Sequence, residues 1–218
     1  MYQYVLFDLD GTLSDPGVGI TNSVAYALSS FGIEVADRRT LYPFIGPPLL
    51  DSFAKYYGMN ERDAQEALAQ YRVYFRDRGM FENELYPKTV WLLEELKRAG
   101  VNLVLATSKP EEFAEQILSH FNIRRYFDVV AGASMDERRS KKSDVIAYAL
   151  QKAGITDKRA AIMVGDRLHD VQGARENALP SIGVLWGYGS ESELLEAGAT
   201  HLAQDMQALL ALLTGGGV

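Results

Sequence analysis

The stretch Val5-Leu6-Phe7-Asp8-Leu9-Asp10-Gly11-Thr12-Leu13 constrains this chain more than any other. The apolar run from Tyr4 to Phe7 predicts a buried strand. It leads into two carboxylates one residue apart, then a Gly-Thr pair that breaks the strand. In an extended chain, side chains at i and i+2 point to the same side, so Asp8 and Asp10 face one site. Carboxylates held together at the end of a strand repel each other, at a cost in stability, unless a cation or a shared proton intervenes. The plain alternative is an acidic turn with no chemistry. What tells against it is the rest of the chain, which supplies the other parts of a reactive site in a workable order.

After the turn-rich exit Gly11 to Gly17, residues from about Val18 to Arg78 carry helical texture and no strand pattern. Val24, Ala27, Leu28 and Phe31 fall at helical spacing, and Gly32 is a stop. The prolines of Tyr42-Pro43-Phe44-Ile45-Gly46-Pro47-Pro48 forbid continuous helix. A helix resumes from Leu49 to Tyr57 and ends at Gly58, and Asn60 caps the next one. From Leu85 the texture changes to strands alternating with helices. Strands are expected at Val101 to Ala106, Phe127 to Ala131, Ala160 to Val164, Ser181 to Leu185 and near Ala199 to Leu202. That alternation predicts an α/β fold, a doubly wound parallel sheet with its chemistry at the C-terminal strand ends. The helical block is then an insertion, with a core domain over 1–15 and 84–218 and a helical domain over 16–83. Asp8, Thr107 and Asp166 all fall at such strand ends.

Composition narrows the classes of function. With 218 residues the chain can bury a sizeable core, and no apolar run approaches the roughly 20 residues of a membrane span. The N-terminus lacks a secretory pattern, and cysteine is absent, which excludes a disulfide framework or a thiolate nucleophile and fits a cytoplasmic protein. A net charge of −7 argues against a broad nucleic-acid surface. It leaves room for a small phosphorylated partner, provided that a metal and a lysine are focused at the site. The short Gly215-Gly216-Gly217 tail is expected to fray.

The candidate residues have complementary chemistry. Asp8 can attack phosphorus and form an aspartyl-phosphate, dividing one hard step into two easier ones. Asp10 can protonate the leaving oxygen and later activate water. Thr107, with the N–H of Ser108, can hold phosphoryl oxygens, although a lone threonine is also an ordinary strand residue. One lysine of the Lys141-Lys142 pair would offset the carboxylates, and Lys142, next to the Ser143-Asp144 helix start, is the choice. Gly165-Asp166-Arg167-Leu168-His169-Asp170 adds two acids four residues apart. Mg²⁺ prefers a few carboxylate oxygens plus phosphate and water, a need that Asp8 with Asp166 meets. Asp170 is either an outer ligand or an acid favoured by a helix dipole.

Together these residues resemble the haloacid dehalogenase superfamily, specifically its phosphatases with a helical cap after the first strand of a Rossmann-like core. Asp8-Leu9-Asp10-Gly11-Thr12 resembles the first motif of that family, Thr107 the second, Lys142 the third, and Gly165-Asp166 with Asp170 the fourth. The resemblance implies a Mg²⁺-dependent phosphomonoesterase, with the metal held by Asp8, the Asp10 carbonyl and Asp166 and with Asp170 a further candidate ligand, acting as a monomer or homodimer on a small metabolite. The helical insert and its Pro/Gly-rich loop lead to the expectation that Phe44 to Leu49 lies over the phosphoryl site, with Phe44 and Ile45 ranking substrates; Arg72 or Arg76 either reaches substrate or belongs to an exposed helical face. Asp15-Pro16-Gly17 and Phe44-Ile45-Gly46-Pro47-Pro48 most resemble the 5′-nucleotidase-like branch. Phosphoglycolate and sugar-phosphate phosphatases, a β-phosphoglucomutase-like mutase and a non-catalytic phosphate-binding domain are the alternatives.

Overall fold

A computed structural model of the chain describes residues 2–215; the Gly216-Gly217 part of the expected tail lies outside them. The chain divides into two compact units, Met1–Ser14 with Leu85–Val218, and Asp15–Glu84. In order, the elements are β1 (Tyr4–Phe7), β2 (Ser14–Asp15), α1 (Gly17–Ser29), α2 (Leu49–Tyr57), α3 (Glu61–Tyr74), β3 (Glu84–Leu85), α4 (Thr89–Arg98), β4 (Asn102–Pro110), α5 (Glu111–His120), β5 (Val129–Ala133), α6 (Lys142–Lys152), β6 (Ala161–Gly165), α7 (Leu168–Glu176), β7 (Ser181–Val184), α8 (Glu191–Ala197), β8 (His201–Ala203) and α9 (Met206–Thr214).

The α/β unit holds a six-stranded sheet in the order β5-β4-β1-β6-β7-β8, parallel throughout. This is the doubly wound fold that the strand–helix alternation predicts. β1 lies at its centre, between β4 and β6, with Val5 opposite both Leu103 and Ile162. Strand periodicity explains the burial. Leu6, Val104, Ala106, Ala131 and Met163 pack with Val145, Ile146, Ala149 and Leu150 of α6 and Ala174 of α7. Val5, Phe7, Leu103 and Leu105, one residue out of phase, are equally buried. A strand apolar on both faces belongs in the middle of such a sheet, and each large side chain buried there contributes about 1.5–3 kcal/mol.

Some boundaries differ from expectation. β4 runs on to Pro110 rather than ending at Ala106, with an irregular register between Thr107 and Pro110. β5 starts at Val129 because a 3₁₀ turn, Arg124–Tyr126, occupies the residues before it. Lys142 is the first residue of α6, with Lys141 as its cap position, rather than standing before the helix.

The helical unit comprises α1, α2 and α3, a 3₁₀ segment Arg38–Phe44 and a π-helical turn Phe75–Gly79. Asn60 accepts a hydrogen bond from the Asp63 N–H at 3.0 Å and so caps α3. Inside the unit, α1 touches the π turn backbone to backbone: a Cβ on Gly19 would lie 1.9 Å from the Gly79 carbonyl oxygen. Neither backbone can yield without moving a whole element, so Gly19→Ala is expected to cost roughly 1–3 kcal/mol, as overpacking does. Thermal melting of the variant should show a drop of several degrees, and an unchanged midpoint would mean that the helices separate freely.

Candidate active site

The site lies at the C-terminal end of the central strand, beside the point where the chain switches direction across the sheet. β1 ends at Phe7, and the Asp8 N–H is tied to the Val164 carbonyl of β6 at 2.9 Å. Beyond it the chain folds back on itself: the Gly11 N–H donates to Ser14 at 2.8 Å, and the Leu13 N–H to Leu9 at 2.9 Å. Gly11 has φ of +81°, and a Cβ there would sit 2.2 Å from Asp166 Oδ2. Only glycine allows that turn and that approach together.

Around Asp8 the structure gathers residues from four strand ends or helix starts. The Lys142 ammonium lies 2.8 Å from Asp8 Oδ1 and 2.8 Å from Asp170 Oδ1, and donates to the Ala106 carbonyl at 3.1 Å. Asp166, after β6, accepts from the Tyr188 N–H at 2.8 Å and from the Thr12 hydroxyl at 3.5 Å. Asp170, in the first turn of α7, accepts from the Arg167 N–H at 3.0 Å. Thr107 is buried at the irregular end of β4, and its Oγ1 accepts the Lys109 N–H at 3.2 Å, with the half-buried Ser108 between them.

The electrostatics follow from burying acids together. Burial, reinforced by the charges of Asp170 and Asp8, pushes Asp166 well above the usual carboxylate range. Burial also raises Asp170 to about 6, against the pull of Lys142. Asp10 is raised by burial as well, opposed by Lys109 and assisted by Asp8. Burial works against the charge on Lys142, yet Asp170 and Asp8 outweigh it and hold the ammonium above its ordinary value.

Asp8, Asp166 and Asp170 are buried and offer ligand oxygens within 4.8 Å of one another. With Asp10 they set four carboxylates against the ammonium groups of Lys109 and Lys142, leaving a deficit that suits a divalent cation. All the donors are oxygens, as hard Mg²⁺ requires. The Asp10 side chain takes no part in that cluster and pairs instead with Lys109, 2.9 Å away.

Phe44, Ile45 and Arg72 belong to the helical unit. Phe44 is buried with its ring against those of Phe53, Tyr56 and Tyr57, Ile45 is fully buried, and Arg72 on α3 is half-buried. Sequence reasoning missed Lys109. The available signal was its spacing of two residues from Thr107 at a strand end, the same pattern that singles out Asp8 and Asp10.

Comparison with known proteins gives the family. Residues 5–184 match the model of the haloacid dehalogenase-like hydrolases. A 5′-nucleotidase of Pseudomonas aeruginosa is 43% identical over 97% of this chain and 96% of its own length. The tyrosine-protein kinase PtkA of Mycobacterium tuberculosis is 42% identical over 86% of this chain, which spans 63% of that protein. Among solved structures, a predicted phosphatase of Clostridium acetobutylicum superposes with a TM-score of 0.96 at 48% identity, covering 99% of each chain. The match begins at the strand that delivers Asp8 and carries through the acids after β6, and the chain belongs to the haloacid dehalogenase-like hydrolase family.

Proposed function

We propose that this hydrolase is a phosphatase that moves the phosphoryl group of a small metabolite's monoester first to Asp8 and then to water, with a 5′-nucleotide-like substrate. The observation that carries the reading is the Lys142 ammonium seated 2.8 Å from Asp8 Oδ1 in a buried site. A lysine so placed offsets the charge of Asp8 and lowers the repulsion that an anionic phosphate meets among carboxylates. Asp8 then attacks phosphorus in line with the leaving oxygen, Asp10 gives that oxygen a proton, and Asp10 afterwards takes a proton from the water that frees the phosphate. Thr107 and the Ser108 N–H hold phosphoryl oxygens. Asp8, Asp166, Asp170 and the Asp10 carbonyl would hold Mg²⁺, which when bound neutralises charge on the transferred group.

The 43% identical 5′-nucleotidase supports a nucleotide as substrate, with phosphoglycolate or a sugar phosphate as the runner-up. Among the described residues no helix is long and apolar enough to cross a membrane, and we take the cytoplasm as the place of action, without nucleic acid or membrane, as monomer or homodimer. A panel of phosphorylated metabolites, assayed for phosphate release with Mg²⁺, tests the reading. Nucleoside monophosphates should lead the ranking, and a protein inert toward every ester would overturn it.

The loop from Phe44 to Leu49 is proposed to set the ranking. Phe44→Leu and Ile45→Val keep the apolar character of the interior while reshaping it. They should reorder the metabolites while activity on p-nitrophenyl phosphate stays within a few-fold. A parallel fall on all esters would make the loop structural only.

A further inference from the structure

We infer that Lys109 is the positioning residue for Asp10, holding one carboxylate oxygen so that the other is presented to the leaving group. Its ammonium lies 2.9 Å from Asp10 Oδ2, with both side chains buried. Asp10 Oδ1 is buried and has no hydrogen-bond partner among the described residues. A carboxylate with one oxygen fixed by a cation and the other open has a defined direction for proton transfer. Lys142 already serves Asp8 and Asp170, so the two lysines divide the acids between them.

The backbone that carries Lys109 is held on both sides. Its N–H donates to Thr107 Oγ1 at 3.2 Å, and the register of β4 against β5 shifts between Thr107 and Pro110. Across from it, a Cβ on Gly132 would lie 2.7 Å from the Lys109 carbonyl oxygen, so β5 presses directly on this segment. Lysine is a flexible point charge, and these restraints, with burial, supply the order that its stem lacks.

The inference rests on the proposed acid/base role of Asp10. In the first step Asp8 bonds to phosphorus, the electron pair of the breaking P–O bond goes to the leaving oxygen, and that oxygen takes the proton from Asp10 Oδ1. In the second step water attacks phosphorus, its proton returns to Oδ1, and the bond to Asp8 breaks. Lys109 stays on Oδ2 throughout and exchanges no proton.

The test compares Lys109→Met, Lys109→Arg, Asp10→Asn and the double variant Asp10→Asn/Lys109→Met, each with an alkyl ester and a nitrophenyl ester. The first step is read by rapid mixing and the fold by thermal melting. Lys109→Met should slow the first step with the alkyl ester by roughly 10- to 100-fold, part of the usual worth of general acid catalysis, and much less with the aryl ester. Lys109→Arg should recover part of the loss. The double variant should match Asp10→Asn alone, because a residue acting through Asp10 has nothing to act on once Asp10 is changed.

Equal losses on both esters, or losses that multiply in the double variant, would overturn the inference and place Lys109 on the phosphoryl group itself. If Lys109→Met fails to fold, Lys109→Gln and its double variant carry the same comparison. If Asp10→Asn shows no preference between leaving groups, the acid/base reading falls and this inference falls with it. A selective Asp10→Asn beside an unselective Lys109→Met removes the inference alone.

Discussion

Asp166→Asn is expected to abolish phosphatase activity while stabilising the metal-free protein. Asp166 is buried beside Asp170 and Asp8, and this burial and repulsion push it well above the usual carboxylate range. Without a cation, the folded protein must either carry adjoining charges or bind protons to remove them. A carboxyl raised in the folded state holds its proton more tightly there than in the unfolded chain, so stability falls as pH rises through the window between the two values. For Asp170 that window runs from 3.8 to about 6. Removing the Asp166 charge relieves the repulsion, so the variant should melt above the metal-free parent, by a margin that widens as pH rises above 3.8.

Mg²⁺ should reverse the order. A cation that binds only the folded state adds about 2.7 kcal/mol at a hundred times its dissociation constant. The parent should show that rise in melting temperature together with activity, a chelator should remove both, and Asp166→Asn should show neither. A variant that responded to Mg²⁺ as the parent does, or a parent fully active in excess chelator, would remove Asp166 and the metal from the mechanism.

How much of this was legible in the sequence depended on whether the signal was local. α2, Leu49–Tyr57, could be read to the residue because Pro48 and Gly58 bracket it, and the Asn60 cap because its bond reaches only to Asp63. Asp8 and Asp10 stood out because a two-residue period at a strand end is visible without knowing the neighbours. The partners of those acids were not local. Lys142 sits between Asp8 and Asp170, which are 162 residues apart in the chain, and only the parallel register of β1, β4 and β6 brings them together. Lys109 was passed over because the strand expected over Val101 to Ala106 stops short of it, whereas β4 continues to Pro110, so the two-residue period linking it to Thr107 was not followed. β2 and β3, two residues each, are too short for any period to show.

Asp10→Asn should divide the two halves of the reaction according to the leaving group. The substitution keeps the backbone carbonyl proposed for Mg²⁺, so metal affinity should largely survive, and it removes the proposed proton donor of the first step and the proposed base of the second. An alkyl ester departs as a poor alkoxide and needs the proton, whereas a nitrophenyl ester departs well without it. With a sugar or nucleoside ester the first step should therefore fall by roughly 10²–10⁴-fold, the usual worth of general acid catalysis. With the aryl ester the first step should suffer far less, while hydrolysis of the aspartyl-phosphate stays slow because no base activates the water. Rapid mixing should show a burst of nitrophenolate near one equivalent per active site, then slow turnover, and the burst protein should carry acid-stable mass for one phosphoryl group. Asp8→Asn lacks the proposed nucleophile and should give neither burst nor turnover. Equal slowing of both esters by Asp10→Asn, with no burst, would make Asp10 a residue of the metal site and leave the proton to another donor.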